Sequence, residues 1–191
     1  MDKKRIFVGV DISDEARRAA AAHIDDLRSK FRDVRVGWER PEKLHLTLKF
    51  VGDVDNAILP DLTASISEIA SRHAFLDLAL KGTGVFPSNK KPRILWLGVT
   101  GEASALQRIQ TGIEHEFEKF GIAAEKREFN PHLTIGRIRE PERARALADS
   151  HSAAEFEPVT FRVTEIVTFE SKLLPSGSVY QTVARAQLSK S

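Results

Sequence analysis

Two short stretches carry the residues best suited to chemistry: His45-Leu46-Thr47-Leu48 and His132-Leu133-Thr134-Ile135. In an extended strand, side chains alternate between faces, so each histidine shares a face with the threonine two positions on. The intervening leucines and the closing Leu48 or Ile135 point the other way, into a core. Histidine titrates near neutral pH, so two of them on facing walls suit a displacement in which one proton is removed and another supplied. Phosphoryl transfer fits this arrangement, because attack and departure lie roughly in line across phosphorus. Each threonine can donate its O–H to a non-bridging phosphate oxygen as negative charge builds there. A zinc site fits less well: it needs three or four ligands, and neither segment offers a second histidine or a carboxylate on its own face.

The elements that must hold these segments repeat with them. The histidines stand 87 positions apart, nearly half of the 191 residues. Upstream of each lies an apolar strand pattern, Arg5-Ile6-Phe7-Val8-Gly9-Val10 and Arg93-Ile94-Leu95-Trp96-Leu97-Gly98-Val99, with arginines 88 apart. A helical pattern follows each, to Phe31 and Phe120. A fixed offset across successive features marks an internal duplication. The spacing predicts helices over 14–31, 56–72, 102–120 and 141–150. Strands are expected at 6–10, 43–51 (stopping at Gly52-Asp53), 75–80 (ending at Gly82-Thr83-Gly84), 93–99, 129–138, 156–169 and 179–184, the last two joined by a Pro175-Ser176-Gly177 turn. Ser13 or Asp14 is placed to cap the first helix. Trp38 and Pro41 mark an irregular approach to the first His-Thr strand, and the basic loop Phe86–Pro92 is the expected junction between lobes. The fold class is α+β: two pseudo-symmetric lobes, formed by repeats of about 1–84 and 85–191 with possible strand exchange. Each lobe has an antiparallel-rich sheet and two helices, and together they make one bilobal domain around a central cleft.

Composition narrows the function. Hydrophobic residues make up 41% and charged residues 29%, ordinary for a globular chain, and the net charge of +2 makes any anion site a local one. The absence of cysteine removes disulfides, thiolate nucleophiles and cysteine-based zinc sites. The start of the chain leads into a short strand instead of a long apolar signal region, and no apolar run reaches transmembrane length. A cytoplasmic protein without membrane association is therefore expected, and separately a monomer. His23, His73, His115 and His151 lack the His-x-Thr context and read as structural, the last in a polar turn.

With these residues in view, the chain resembles the two-histidine (2H) phosphoesterases, and among them the bacterial and archaeal RNA 2′,3′-cyclic phosphodiesterases once described as 2′-5′ RNA ligases. The resemblance rests on the doubled His-x-Thr-x motif. Thr47-Leu48-Lys49-Phe50-Val51-Gly52, Gly84-Val85-Phe86-Pro87, Arg93-Ile94-Leu95-Trp96-Leu97-Gly98, Glu170-Ser171 and Tyr180 add to it. It implies a cofactor-free, metal-independent opening of a terminal ribose 2′,3′-cyclic phosphate to a 2′-phosphomonoester, with His45 as proton donor and His132 as proton acceptor. The sequence alone does not choose between those roles, because the halves are alike. The partner would be an RNA 3′ end or a small cyclic-phosphate nucleotide, ADP-ribose cyclic phosphate included. A non-catalytic nucleotide- or RNA-binding module is a further reading, against which all four motif residues count.

Five positions beyond the histidines stand Phe50 and Arg137. The resemblance suggests the arginine as a substrate contact, and guanidinium and aromatic planes could sandwich a terminal base. Plain core packing is the other reading for Phe50, and a surface ion pair for Arg137. Strict alternation puts both on the apolar face, so the sandwich requires a bulge, for which Gly136 is suggestive. The Lys90-Lys91-Arg93 cluster could steer an RNA backbone.

Overall fold

Short β-branched and apolar runs become strands, and runs with apolar residues three and four apart become helices. The computed structural model describes residues 3–175 and 177–190; Ser176, in the expected last turn, lies outside the described residues. Strand β1 (Lys3–Asp11) leads into helix α1 (Asp14–Lys30). The Ser13 hydroxyl caps that helix by accepting the Ala16 N–H at 3.2 Å, and Asp14 and Glu15 complement the positive end of its dipole. Ala16, Ala20, Ile24 and Leu27 form its buried stripe. There follow β2 (Val36–Trp38), β3 (His45–Asp55), α2 (Leu59–Ser71), β4 (Leu76–Phe86), β5 (Ile94–Gly101) and α3 (Ala103–Glu118). The chain ends with β6 (His132–Ile138), α4 (Arg145–Ser152), β7 (Val159–Val163), β8 (Glu165–Leu174) and β9 (Gly177–Gln187).

The architecture is α+β. Among the described residues the strands run in the order β7-β4-β5-β6-β3-β1-β8-β9, with β2 added beside β6. Each lobe contributes four strands to this path, and the two halves join into one sheet through a single β3–β6 antiparallel pair, Leu46 opposite Leu133. The main core fills the space between one face of the sheet and the helices, and includes Ile6, Val8, Leu46, Leu133, Ile109 and Leu147. A second, small cluster of Phe7, Val167 and Phe169, with Tyr180 packed on it, stands apart from that core. Since Phe7 alternates with Ile6 and Val8, this cluster lies on the opposite sheet face.

Several expectations are corrected. The stretch 156–169 is two strands: β7 pairs with β4, whereas β8 pairs with β1 and β9, at the far end of the sheet. The loop Phe86–Pro92 joins β4 to its antiparallel neighbour β5, so it is a hairpin connection and not a junction between lobes. Strand β4 runs through Gly82 and Gly84 to Phe86, and β3 continues through Gly52 to Asp55, because glycine lets a strand bend (φ is 85° at Gly52 and 77° at Gly82) without ending it. The irregular segment at Trp38 is the edge strand β2. The helix expected from Pro141 begins at Arg145, after a separate 3-10 turn over Pro141–Arg143.

Candidate active site

The Leu46–Leu133 pair sets the geometry. Both leucines point into the core, so His45, Thr47, His132 and Thr134 project from the opposite face on either side of the joint. Antiparallel register then sets His45 beside Thr134 and Thr47 beside His132. Four residues separated by nearly half the chain thus converge at one place.

The two imidazoles are held alike. His45 donates its Nδ1–H to the Lys43 carbonyl at 2.6 Å, and His132 donates its own to the Asn130 carbonyl at 2.7 Å. In each case the acceptor lies two residues upstream. With Nδ1 committed to a carbonyl, Nε2 is the nitrogen left to exchange protons. Thr47 Oγ1 lies 3.0 Å from His45 Nε2, donating to it when the ring is neutral and accepting from it when the ring is charged.

Matching bulges turn two further side chains toward this face. Val8 pairs with Lys49 and Gly9 with Thr47, leaving Leu48 as an extra residue in β3. Leu95 pairs with Gly136 and Trp96 with Thr134, leaving Ile135 as an extra residue in β6. Each extra residue is the third after its histidine. A one-residue bulge inverts the alternation beyond it. Phe50 therefore emerges on the histidine face, 68% exposed, and the Phe7 ring lies 4.8 Å from the His45 ring and 6.0 Å from Phe50. Arg137 emerges exposed as well, with Nε 3.6 Å from Glu39. Lys49 turns inward instead, where its Nζ meets Glu114 and donates to the Ala123 carbonyl at 3.0 Å.

The surroundings of the histidines differ. His45 is walled by Phe7, Phe169 and Tyr180, with Tyr180 edge-on at 5.4 Å, whereas His132 touches Phe86 at 5.1 Å and Trp96 at 6.3 Å. Burial lowers the pKa of both imidazoles, the carbonyl contacts oppose that, and the Arg137 charge lowers both further. His45 also feels Asp11, which raises its pKa, and Arg17, which lowers it. His132 has no carboxylate among the groups that shift it. Burial raises the Tyr180 phenol, which stays protonated. A cavity of about 370 Å³ opens beside His45, bordered by Asp11, Lys43, Tyr180 and Arg185.

Sequence reasoning missed Asp11, Phe7 and Phe169. The two phenylalanines sit in apolar runs that read as ordinary core, and only their parity within β1 and β8 marks them as facing the site. Of the other histidines, His73 is half-buried and His115 exposed. His151 is not in a polar turn: it lies in α4 at 0% exposure, donating Nε2–H to the Trp96 carbonyl and accepting from His23 Nε2, both at 3.1 Å. Lys90, Lys91 and Arg93 are exposed. Among the described residues no group of three or more His, Cys, Asp or Glu side chains is placed to hold a metal ion, and no helix is long and apolar enough to cross a membrane.

Comparison with known proteins follows the same lines. A family profile described as the 2′-5′ RNA ligase superfamily matches residues 16–172. A Methanothermobacter thermautotrophicus protein named RNA 2′,3′-cyclic phosphodiesterase is 34% identical over 179 residues, 93% of this chain and 95% of its own length. The crystal structure of a Thermus thermophilus protein superposes with a TM-score of 0.78 at 28% identity, covering 97% of this chain and 98% of that one. The apo structure of E. coli LigT shares the fold, with a TM-score of 0.73 at 22% identity and full coverage of both chains.

Proposed function

This chain belongs to the 2′-5′ RNA ligase superfamily, a family of two-histidine phosphoesterases, and on that premise we propose that it hydrolyses terminal 2′,3′-cyclic phosphates of RNA to 2′-phosphomonoesters. The observation that carries the reading is the pair of imidazoles flanking the Leu46–Leu133 joint, each with Nδ1–H on a carbonyl, which leaves Nε2 to exchange protons. Neutral His132 takes a proton from water through Nε2 while the water oxygen attacks phosphorus. The P–O3′ bond breaks, and charged His45 gives its Nε2 proton to O3′. One proton enters and one leaves, so the two imidazoles complete the inventory. Asp11 supports the donor role for His45, since a nearby carboxylate favours the imidazolium, and His132 without such a neighbour suits the acceptor. The incoming phosphate anion favours charged His45 further. Thr47 and Thr134 donate to the non-bridging oxygens, and Phe50 and Arg137, brought onto this face by the bulges, flank the terminal base.

The test is hydrolysis of an oligoribonucleotide ending in 2′,3′-cyclic phosphate, with EDTA present, by wild type, His45→Ala and His132→Ala. The expected result is 2′-phosphate product from wild type and a loss of roughly two to four orders of magnitude in each variant. Turnover that survives both substitutions would refute the two-histidine assignment, and a 3′-phosphate product would refute the leaving group. RNA bound without turnover would favour a binding module.

A further inference from the structure

Past the cleft, the chain leaves β6 toward Arg139, whose N–H bonds the Arg35 carbonyl at 2.9 Å. Arg139 is the first residue beyond β6, two residues after Arg137. Gly37 in β2 is opposite Arg137. A Cβ on Gly37 would lie 3.4 and 3.6 Å from the Arg139 guanidinium nitrogens, so that group lies across the bare Gly37 backbone. There an open cavity of about 480 Å³ is bordered by Arg28, Arg32, Arg35 and Arg139, with Phe31 and Trp38, and among the described residues by no carboxylate. Among the described residues only Arg35 of these four has a carboxylate partner, Glu140 at 3.3 Å. Among the described residues the Arg32 side chain bonds only the Ser29 carbonyl, at 3.2 Å.

Four arginines thus border one groove in a chain whose 29 cations are nearly matched by 27 anions. Their mutual repulsion is relieved by a bound polyanion. Guanidinium groups match phosphate oxygens in pairs, and half-exposed aromatic rings offer bases a stacking surface. The groove adjoins β6, the strand that carries His132, with Arg139 just beyond the end of that strand. We propose that it is a second subsite, holding the phosphodiester backbone of single-stranded RNA upstream of the end that reacts at His45 and His132. The inference rests on the phosphodiesterase reading, and it makes an oligonucleotide, not a free cyclic mononucleotide, the preferred substrate.

The test uses the Arg28→Gln/Arg32→Gln/Arg139→Gln triple variant of the full chain, whose changed side chains are all exposed. Binding of a fluorescent oligoribonucleotide ending in 2′-phosphate is followed by anisotropy across salt concentrations. Hydrolysis of a 2′,3′-cyclic mononucleotide is measured separately. The expected result is oligonucleotide affinity weakened by roughly tenfold or more, and a salt slope shallower by about 2 for the three lost cations. Mononucleotide hydrolysis stays at the wild-type rate. Equal oligonucleotide affinity and slope in wild type and variant would overturn the groove, whatever the hydrolysis assay gives. Competition by polyglutamate as strong as by RNA would also overturn it, in favour of an acidic protein segment. A wild type inert on the mononucleotide and on the oligonucleotide would refute the catalytic reading, and with it the upstream placement.

Discussion

Gly9 is the position where the smallest change should reach the chemistry. It lies opposite Thr47 in the β1–β3 ladder. An added Cβ would stand 2.6 Å from the Leu46 carbonyl oxygen and 3.3 Å from His45 Cδ2. Restoring that oxygen contact to an ordinary 3.4 Å needs about 0.8 Å of movement between β1 and the strand segment that carries His45. Misplacing a catalytic group by about 1 Å can cost on the order of a hundredfold in rate. Gly9→Ala should therefore lower kcat/KM on cyclic-phosphate RNA by roughly 10- to 100-fold. Overpacking of this kind should also cost about 1–3 kcal/mol, read from urea denaturation. The control is Gly98→Ala, opposite His132 in β5: its Cβ would meet the Lys81 carbonyl oxygen at 2.5 Å and Trp96 Cζ3 at 3.5 Å, with no His132 atom among its three nearest neighbours. That variant should lose comparable stability but much less activity. Wild-type kcat/KM in Gly9→Ala, or equal activity losses in the two variants, would refute the claim that the β1–β3 spacing positions His45.

Three further outcomes are expected. The imidazoles of His45 and His132 are both held below 6.5, so on the proposed mechanism the bell-shaped kcat/KM profile should peak below pH 6.5, falling on the acid side as His132 protonates and on the alkaline side as His45 deprotonates. Asp11→Asn should move the alkaline limb lower, which initial rates across pH would show. His151, pushed down to about 4 by burial, stabilises the fold fully above pH 6.5 and loses that contribution as pH falls toward 4; the loss is on the order of 3 kcal/mol. Urea midpoints across pH should show it, and His151→Gln should flatten that part of the curve. Phe50→Ala, at a side chain 68% exposed, should raise KM for the oligonucleotide by roughly tenfold, as expected for one lost base stack, with the melting temperature unchanged.

The sequence alone determined which residue types repeat and at what offset. His45, Thr47, His132 and Thr134 were legible because a period of two and a duplication of 87 positions are local and countable. The helices were legible for the same reason, since their buried stripes follow intrinsic periodicity. Tertiary structure decided the rest. Leu48 and Ile135 look like ordinary strand residues, and only pairing with β1 and β5 reveals them as bulges that reverse the facing of Phe50, Arg137 and Lys49. The split of 156–169 between opposite ends of the sheet also depends on partners far away in sequence, as does the convergence of Arg28, Arg32 and Arg139. Backbone hydrogen bonds between strands are nearly indifferent to side chain, so which strand pairs with which, and in what register, is settled by the packing of the whole molecule.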